Sequence, residues 1–165
     1  MAMQSRTEVH IDLDKLVDNF DTNKVLKVGW VEKNRYPEED GGIYVAEAAA
    51  MNEYGVPHRN VPPRPFMRPA IVHNKNEWLQ LIDTGSKAVA RGSYSIEEVL
   101  ESLGGSVAGD IRNAIQAVTS PALSPWTIAK RLSKYSNRSK VGSLTKPLID
   151  TGLMFETVTY AVEPE

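Results

Sequence analysis

The chain has 165 residues, of which 41% are hydrophobic and 24% charged, and its formal net charge is −2. These values are typical of a soluble globular chain, and the length predicts a single domain, 1–165, that buries roughly 70% of its unfolded surface. The sequence has no cysteine, which excludes a disulfide scaffold, a thiol nucleophile and a cysteine-ligated metal site. The absence of cysteine also fits assembly in a reducing cytoplasm. No apolar run approaches the ~20 residues that span a bilayer, so we expect no membrane protein.

The charges are unevenly distributed along the chain. Residues 1–55 carry eleven acidic and six basic side chains, whereas residues 56–75 carry four basic side chains and no acidic one. Residues 121–148 carry six basic side chains, again with no acidic one. Such blocks are either solvated faces and loops, or complementary edges of a subunit that associates with copies of itself.

The first third of the chain predicts two strands and two short helices. Alternation of apolar and polar residues predicts a strand over 8–13, and helical spacing predicts a short helix over 14–20. Residues 25–31 alternate again and predict a second strand. A turn over 34–42 then leads to an alanine-rich helix over 46–54.

The remaining elements are mostly helical. Apolar spacing predicts a helix over 69–91, and the sequence Ser95-Ile96-Glu97-Glu98 is a capping box that opens a long helix ending near Val118. Ser124 caps a shorter helix that ends near Tyr135, and residues 156–162 form a final strand. This order predicts an α+β fold, in which an antiparallel sheet is packed by helices on one side.

Two further features lie in the second half of the chain. Gly105 and Gly109 lie four residues apart in the long helix, where they indicate either close packing against another helix or a kink. Residues 135–146 are polar and basic and predict a flexible loop.

A proline-rich segment, 53–70, is the most distinctive part of the sequence. It reads EYGVPHRNVPPRPFMRPA and holds five of the ten prolines. Proline fixes φ and favours an extended conformation in the residue before it, so residues 55–69 predict a stiff, extended arm. In such an arm Arg64, Phe66 and Arg68 would share one face and form an interface anchor; the alternative is a surface loop with a buried Phe66.

Three motifs resemble those of the neck or tail-completion proteins of tailed bacteriophages. In the first motif, 53–70, the family typically has Glu-(Phe/Tyr)-Gly followed by Pro-x-Arg-Pro-Phe-(Phe/Leu/Met)-Arg-Pro-Ala. The second motif, 120–129, reads SPALSPWTIA and is similar to the family's Pro-Pro-Leu-(Ser/Ala)-Pro-x-Thr-(Ile/Val). The third motif, 146–158, reads KPLIDTGLMFETV and is similar to Pro-Leu-(Ile/Val)-Asp-Thr-Gly-x-(Leu/Met)-x-x-Ser-(Ile/Val), with Thr157 in place of the commoner serine.

The resemblance implies a structural virion protein that forms a ring, most readily a hexamer, at the neck or head-proximal end of the tail. It implies no catalysis, cofactor or metal, and partners that include a portal-side connector or adaptor and the tail tube or terminator proteins, with non-specific contact to DNA in the lumen. The expected subunit or partner interface is Glu53, Tyr54, Gly55, Arg64, Pro65, Phe66, Arg68 and Pro69. Asp150, Thr151 and Gly152 are expected to have a structural role.

Two alternative functions remain at this stage. The pentapeptide LIDTG occurs at 81–85 and at 148–152, and aspartic proteases present their paired catalytic carboxylates on Asp-Thr-Gly sequences, which suggests a small bacterial hydrolase. Against this, Asp83 falls within a predicted helix, and too few residues follow Gly152 to build a β-rich lobe. A non-specific nucleic-acid-binding module would instead use the basic segment for phosphate contacts. Its candidate residues are Lys130, Arg131, Lys134, Arg138 and Lys140.

Overall fold

The computed structural model describes residues 13–20, 23–135 and 143–165. The helices and strands, in chain order, are α1 (Leu13–Phe20), β1 (Lys24–Gly29), α2 (Val45–Tyr54), α3 (Met67–Ala90), α4 (Ile96–Ala117), α5 (Pro125–Tyr135), α6 (Leu153–Glu156) and β2 (Thr159–Pro164). Single turns of 3₁₀ helix lie at Glu38–Asp40 and Pro57–Arg59. The predicted helices at 14–20, 46–54, 69–91 and 96–118 are therefore confirmed to within two residues at each end.

The sheet of the described chain has two strands, and α4 packs on one of its faces. β1 and β2 pair antiparallel, with Leu26 opposite Val162 and Val28 opposite Tyr160. These paired side chains share the face that contacts α4. The opposite face carries an exposed ion pair between Lys27 and Glu163 at 2.7 Å, beside Val25 and Ala161. The predicted α+β class, with a helix-covered antiparallel sheet, is confirmed.

The close approach of α4 to the sheet occurs at Gly104. A Cβ atom at this position would lie 2.6 Å from the ring of Tyr160 and 2.9 Å from Leu26, so only glycine lets the helix lie this near the strands. Gly105 has only Tyr160 near it, at 3.9 Å, and Gly109 has no atom within 4 Å. Close packing, one of the two interpretations of Gly105 and Gly109, is not observed within the described subunit, where the glycine that faces a neighbour is Gly104.

The hydrophobic core joins elements that are far apart in the sequence. Trp30, just after β1, lies edge-on to Phe66 with ring centroids 5.8 Å apart, and its Nε1 donates to the carbonyl of Met154 at 2.9 Å. The first contact joins the end of β1 to the start of α3, and the second joins it to α6. The buried side chains of this cluster are Val45, Ala49, Phe66, Ala108, Ile111, Ile115, Leu148, Met154 and Val158.

The two longest helices, α3 and α4, form an antiparallel hairpin. The predicted capping box is present: Ser95 Oγ accepts from the backbone N–H of Glu98, and the Glu98 carboxylate accepts from the backbone N–H of Ser95. Trp78 of α3 donates to the Asp110 carboxylate of α4 at 2.7 Å. Only one side of α3 is used by this hairpin, so much of its outer surface remains exposed.

Three predicted elements differ from the structure or lie outside the residues it describes. The final strand begins at Thr159 rather than at 156 and runs to Pro164, because residues 153–156 form the short helix α6. The strand predicted over 8–13 lies outside the described residues, except that Leu13 already belongs to α1. Most of the predicted flexible loop, 136–142, also lies outside them.

The proline-rich segment is folded against the subunit and does not extend from it as an arm. Val56 and Val61 form a β-bridge around the turn at Pro57–Arg59, and the Arg64 N–H donates to the carbonyl of Asn52 at 2.7 Å. Gly55 makes the sharp turn after α2 with φ +74°, and a Cβ there would lie 2.7 Å from the backbone nitrogen of Pro63. The chain therefore turns back along α2 before it enters α3.

Among the helices in the described parts of the chain, none has the length and apolar content needed to cross a membrane.

Candidate functional site

Glu53 closes the N-terminus of α3 from the preceding helix. Its carboxylate accepts hydrogen bonds from the backbone N–H groups of Phe66, Met67 and Arg68, at 2.7, 2.9 and 3.2 Å. The Nε of Arg68 donates to the same carboxylate at 2.8 Å. The first N–H groups of a helix have no partner within the helix, so a buried carboxylate at this position satisfies them and complements the helix dipole.

The same contacts determine the protonation of Glu53. Burial alone favours the neutral acid and raises the pKa of this carboxyl, but the Arg68 side chain and the three backbone N–H groups outweigh it and lower the pKa from its ordinary value of 4.5. The guanidinium of Arg68 has its pKa raised, chiefly by its hydrogen bond to Glu53. Glu53 is thus an ionised, internally paired group at neutral pH.

Arg64 connects the first motif to the second. Its Nε donates to the carbonyl of Pro121 at 2.8 Å, and its Nη2 donates to the carbonyl of Ala122 at 3.2 Å. The residue is 7% exposed, and its pKa is lowered by burial and by the positive charge of Arg131. A buried guanidinium that is held by main-chain carbonyls fixes the position of the loop between α4 and α5.

These positions correct part of the predicted interface. Phe66 is 1% exposed, Arg64 points into the subunit, and Arg68 pairs with Glu53 of its own chain. The three side chains do not share an exposed face, because α3 starts at Met67 and rotates Arg68 away from the extended register. Of the predicted interface residues, Tyr54, Pro65 and Arg68 are exposed, Gly55 and Pro69 are partly exposed, and Glu53, Arg64 and Phe66 are buried.

Arg131 of α5 organises the third motif. Its guanidinium donates to the carbonyls of Ser143, Lys146, Pro147 and Ile149, and its Nε lies 3.1 Å from Oδ1 of Asp150. The residue is 8% exposed. Asp150 of the Asp-Thr-Gly sequence is therefore one anchor of a loop that wraps around a single guanidinium.

The candidate phosphate-binding residues are mostly engaged within the subunit. Arg131 is buried, and Lys134 pairs with Asp40 and lies 3.7 Å from Asp150. Lys130 remains at the surface, where its ammonium group lies 5.2 Å from the ring centroid of Trp126. Arg138 and Lys140 lie outside the described residues. Arg131 is thus enclosed by its own chain and Lys134 is partly exposed and paired, so of the described candidates Lys130 is the most accessible.

Thr151 and Gly152 have local structural roles. The backbone N–H of Leu153 donates to the hydroxyl of Thr151 at 3.2 Å, and Gly152 directly precedes α6. The other Asp-Thr-Gly sequence lies inside α3, where Asp83 forms an exposed i,i+4 ion pair with Lys87 at 2.6 Å. Since the two aspartates engage separate cations on different elements, they do not form the proton-sharing pair of an aspartic protease.

A polar cleft of 550 Å³ lies between α5 and the turn that follows Tyr36. Asp40, Lys134 and Asp150 line it together with Tyr36, and the exposed Trp126 forms part of its rim. Burial raises the pKa of Tyr36 to about 12, and the negative charges of Asp150 and Asp40 act in the same direction. Two cations of the cleft are paired with its carboxylates: Lys134 with Asp40, and Arg131 with Asp150. Within the described residues, no group of three or more potential ligands could hold a metal ion.

Exposed apolar side chains are concentrated on helices. On α3, Ile71, Val72, Leu79 and Ile82 are between 42% and 76% exposed. Near them lies a groove of 270 Å³ between α2 and α3. Its apolar lining includes Trp30, Ala50, Phe66, Met67 and Ile71, and Glu53 and Arg68 also line it. Contiguous apolar surface of this kind marks interaction sites in many proteins.

Sequence reasoning missed several of these roles. Apolar spacing predicted the helix α3 but not that Ile71 and Ile82 on it are exposed. The role of Arg131 as a buried hub has no local signal, because its partners are main-chain carbonyls that lie 12 to 18 residues away. The alternation around Trp30 indicated a strand but not its contact with Phe66.

Comparison with protein-family models, with curated proteins and with solved structures finds no match to this chain.

Proposed function

We propose that this chain is a structural subunit of the neck, or of the head-proximal end of the tail, of a tailed bacteriophage, and that copies of it form a ring that helps to join head and tail. The proposal begins from the three sequence motifs that resemble the neck and tail-completion proteins. Short motifs can match by chance. The resemblance gains support if the residues of the three motifs contact one another in the folded chain.

The observation that carries the proposal is that the three motifs depend on one another through buried contacts. Arg64 of the first motif binds two carbonyls of the second. Arg131, two residues beyond the second motif, binds three carbonyls and one carboxylate of the third. Phe66 of the first motif and Met154 of the third meet in the hydrophobic core beside Trp30.

The polar groups of the motifs also favour a structural role over a catalytic one. Glu53, Arg64, Arg131 and Asp150 each form hydrogen bonds or ion pairs inside the subunit. A catalytic carboxylate or base needs access to a substrate, whereas these groups hold loops and a helix terminus in place. The exposed apolar surface on α3 is the kind of surface that an assembling subunit needs.

A phage mutant with a nonsense codon in the gene for this chain tests the proposal. We expect filled heads and finished tails to accumulate as separate particles, and joining to be restored when the chain is supplied from a plasmid. A mutant that still produces joined, infectious particles without the chain would contradict the proposal.

A further inference from the structure

The outer side of α3 carries an apolar stripe that no other described part of the subunit covers. At 3.6 residues per turn, Ile71, Val72, Leu79 and Ile82 lie within about 100° of the helix circumference, so they form one surface. Val72 is 76% exposed and Leu79 is 51% exposed. Four large apolar side chains on one face of a helix are costly to leave in water, which indicates that this face is covered in the assembled protein.

The sides of α3 next to the stripe are already used. Trp78 and Gly85 face α4, where Trp78 bonds Asp110 and Gly85 packs directly against Val99. At the C-terminal end, α1 covers the buried Val89, and Asn19 donates to the carbonyl of Val89 at 3.2 Å. The stripe is thus a separate surface with defined borders.

Lys75 lies in the middle of the stripe. Its position on the helix falls between those of Ile82 and Leu79, and it is exposed. No ion pair in the described parts of the chain involves Lys75, whereas Arg68 at the stripe's N-terminal end is paired with Glu53. A partner surface that suits this stripe is therefore apolar and also supplies carboxylates.

The exposed face of α1 has these properties. Val17 is 65% exposed, and Phe20, at the helix end, is 39% exposed. Asp14 and Asp18 are exposed and lie beside Val17, within about 100° of the circumference. Neither aspartate takes part in an ion pair with a described residue. α1 thus presents two apolar side chains and two carboxylates, against the apolar side chains and lysine of α3.

We propose that the α3 stripe of one subunit binds the exposed face of α1 of a second copy of the chain. This rests on the proposed function, since it names the contact through which the ring would form. The two surfaces differ, so the contact is heterologous: each subunit uses its α3 stripe for one neighbour and its α1 face for the other, as a closed ring requires. The apolar side chains supply affinity, and Lys75 with the two aspartates sets the register.

Complementary variants test the inference. Leu79→Glu places a charge in the stripe, and Val17→Glu places one in the α1 face; both positions are exposed, so the subunit should still fold. We expect each variant to need at least about a tenfold higher concentration than wild type for half-maximal assembly. Gln80→Glu is the matched control, since it adds the same charge at an exposed neighbouring position of α3 outside the stripe, and it should assemble like wild type.

Mixing the two variants tests most directly whether the α3 stripe binds the α1 face. The Leu79→Glu subunit keeps an intact α1 face and the Val17→Glu subunit keeps an intact stripe, so an equimolar mixture should form 1:1 dimers in analytical ultracentrifugation that do not grow into rings. If Leu79→Glu alone assembles like wild type, or if both variants are monomeric and the mixture stays monomeric, the inference is wrong. If Val17→Glu alone still dimerises through α3, the stripe pairs with itself and the inference is also wrong.

Exchange of the charges provides a second test of the register. Lys75→Glu should weaken assembly, and adding Asp14→Lys and Asp18→Lys in the same chain should restore it to within a few-fold of wild type. Failure of the restored variant to recover would contradict the contact with α1. A wild-type chain that remains monomeric at every concentration would overturn this inference, whereas the head–tail joining experiment tests the proposed function separately.

Discussion

Replacement of Glu53 by glutamine removes the charge that caps α3 while it keeps the shape of the side chain. The carboxylate accepts three backbone N–H groups and the Arg68 guanidinium, and its side chain is 5% exposed. The amide keeps one acceptor oxygen but places an NH₂ group against N–H donors. At least one backbone N–H of the helix terminus therefore loses its partner in a buried position.

The cost follows from these contacts. A hydrogen bond to a charged group contributes about 1.5–3 kcal/mol, and a negative charge at a helix N-terminus adds about 0.3–1 kcal/mol. The Arg68 side chain is 57% exposed, so solvent screens its pairing with Glu53 and the pairing adds little to this cost. We expect Glu53→Gln to reduce the free energy of unfolding by about 3 kcal/mol, which for a chain of this size lowers Tm by roughly 6–12 °C.

Chemical denaturation followed by circular dichroism measures this loss. Glu47→Gln is the control on the same helix, since Glu47 is exposed, and it should change the free energy by less than about 1 kcal/mol. Arg68→Gln should cost much less than Glu53→Gln, because the Arg68 side chain is largely exposed and its charge is screened by solvent. If Glu53→Gln were no more destabilising than Arg68→Gln, the backbone hydrogen bonds would not be the main contribution of Glu53, and the reasoning would be refuted.

The same variant has a characteristic pH dependence. Folding lowers the pKa of Glu53 below its ordinary value of 4.5. The stabilisation is therefore fully present above pH 4.5 and is lost as the pH falls through the pKa of the folded state. The difference in unfolding free energy between wild type and Glu53→Gln should shrink on acidification below pH 4.5, and a difference that stayed constant to pH 2 would contradict the assignment.

Four further substitutions test the core and the loops, each by denaturation. Phe66→Ala should cost about 3–5 kcal/mol, because the ring is buried against Trp30; an unchanged midpoint would place Phe66 outside the core. Gly104→Ala should destabilise the fold because its Cβ would clash with Tyr160. Gly109→Ala should stabilise the fold by about 0.5–1 kcal/mol, as expected for an open helical position. If Gly109→Ala were the more destabilising of the two, the packing of α4 on the sheet would be contradicted. Arg131→Met should cost about 3–5 kcal/mol because it leaves Asp150 and the loop carbonyls without their partner, and a loss below 1 kcal/mol would refute its role as a hub.

Local sequence signals predicted the elements that depend on local chemistry. The capping box at Ser95 and Glu98 sets the start of α4, and Ser124 with Pro125 sets the start of α5, as predicted. Gly55 does end α2 with a positive φ. In each case the residues that determine where the helix begins or ends are neighbours in the chain, so the local sequence is sufficient to predict it.

The errors involve contacts between distant residues. In an extended arm Arg64, Phe66 and Arg68 would lie on one face. In the structure α3 begins at Met67, where its first N–H groups bind the carboxylate of Glu53, which lies thirteen residues before Phe66. Similarly, the spacing of Gly105 and Gly109 suggested a contact with another helix. The glycine that makes a close contact is Gly104, which faces the sheet because β2, at the C-terminal end of the chain, packs against α4. Tertiary contacts decided both cases, and local periodicity carries no information about them.

The position of the chain in the virion tests the central claim most directly. Purified virions labelled with gold-conjugated antibody against this chain can be imaged by electron microscopy, with an unrelated capsid protein labelled as a control. The proposed function predicts that gold lies at the junction of head and tail, and that averaged images show a ring of copies at that level. Label spread over the capsid or at the distal tail tip, or virions that lack the chain, would contradict it.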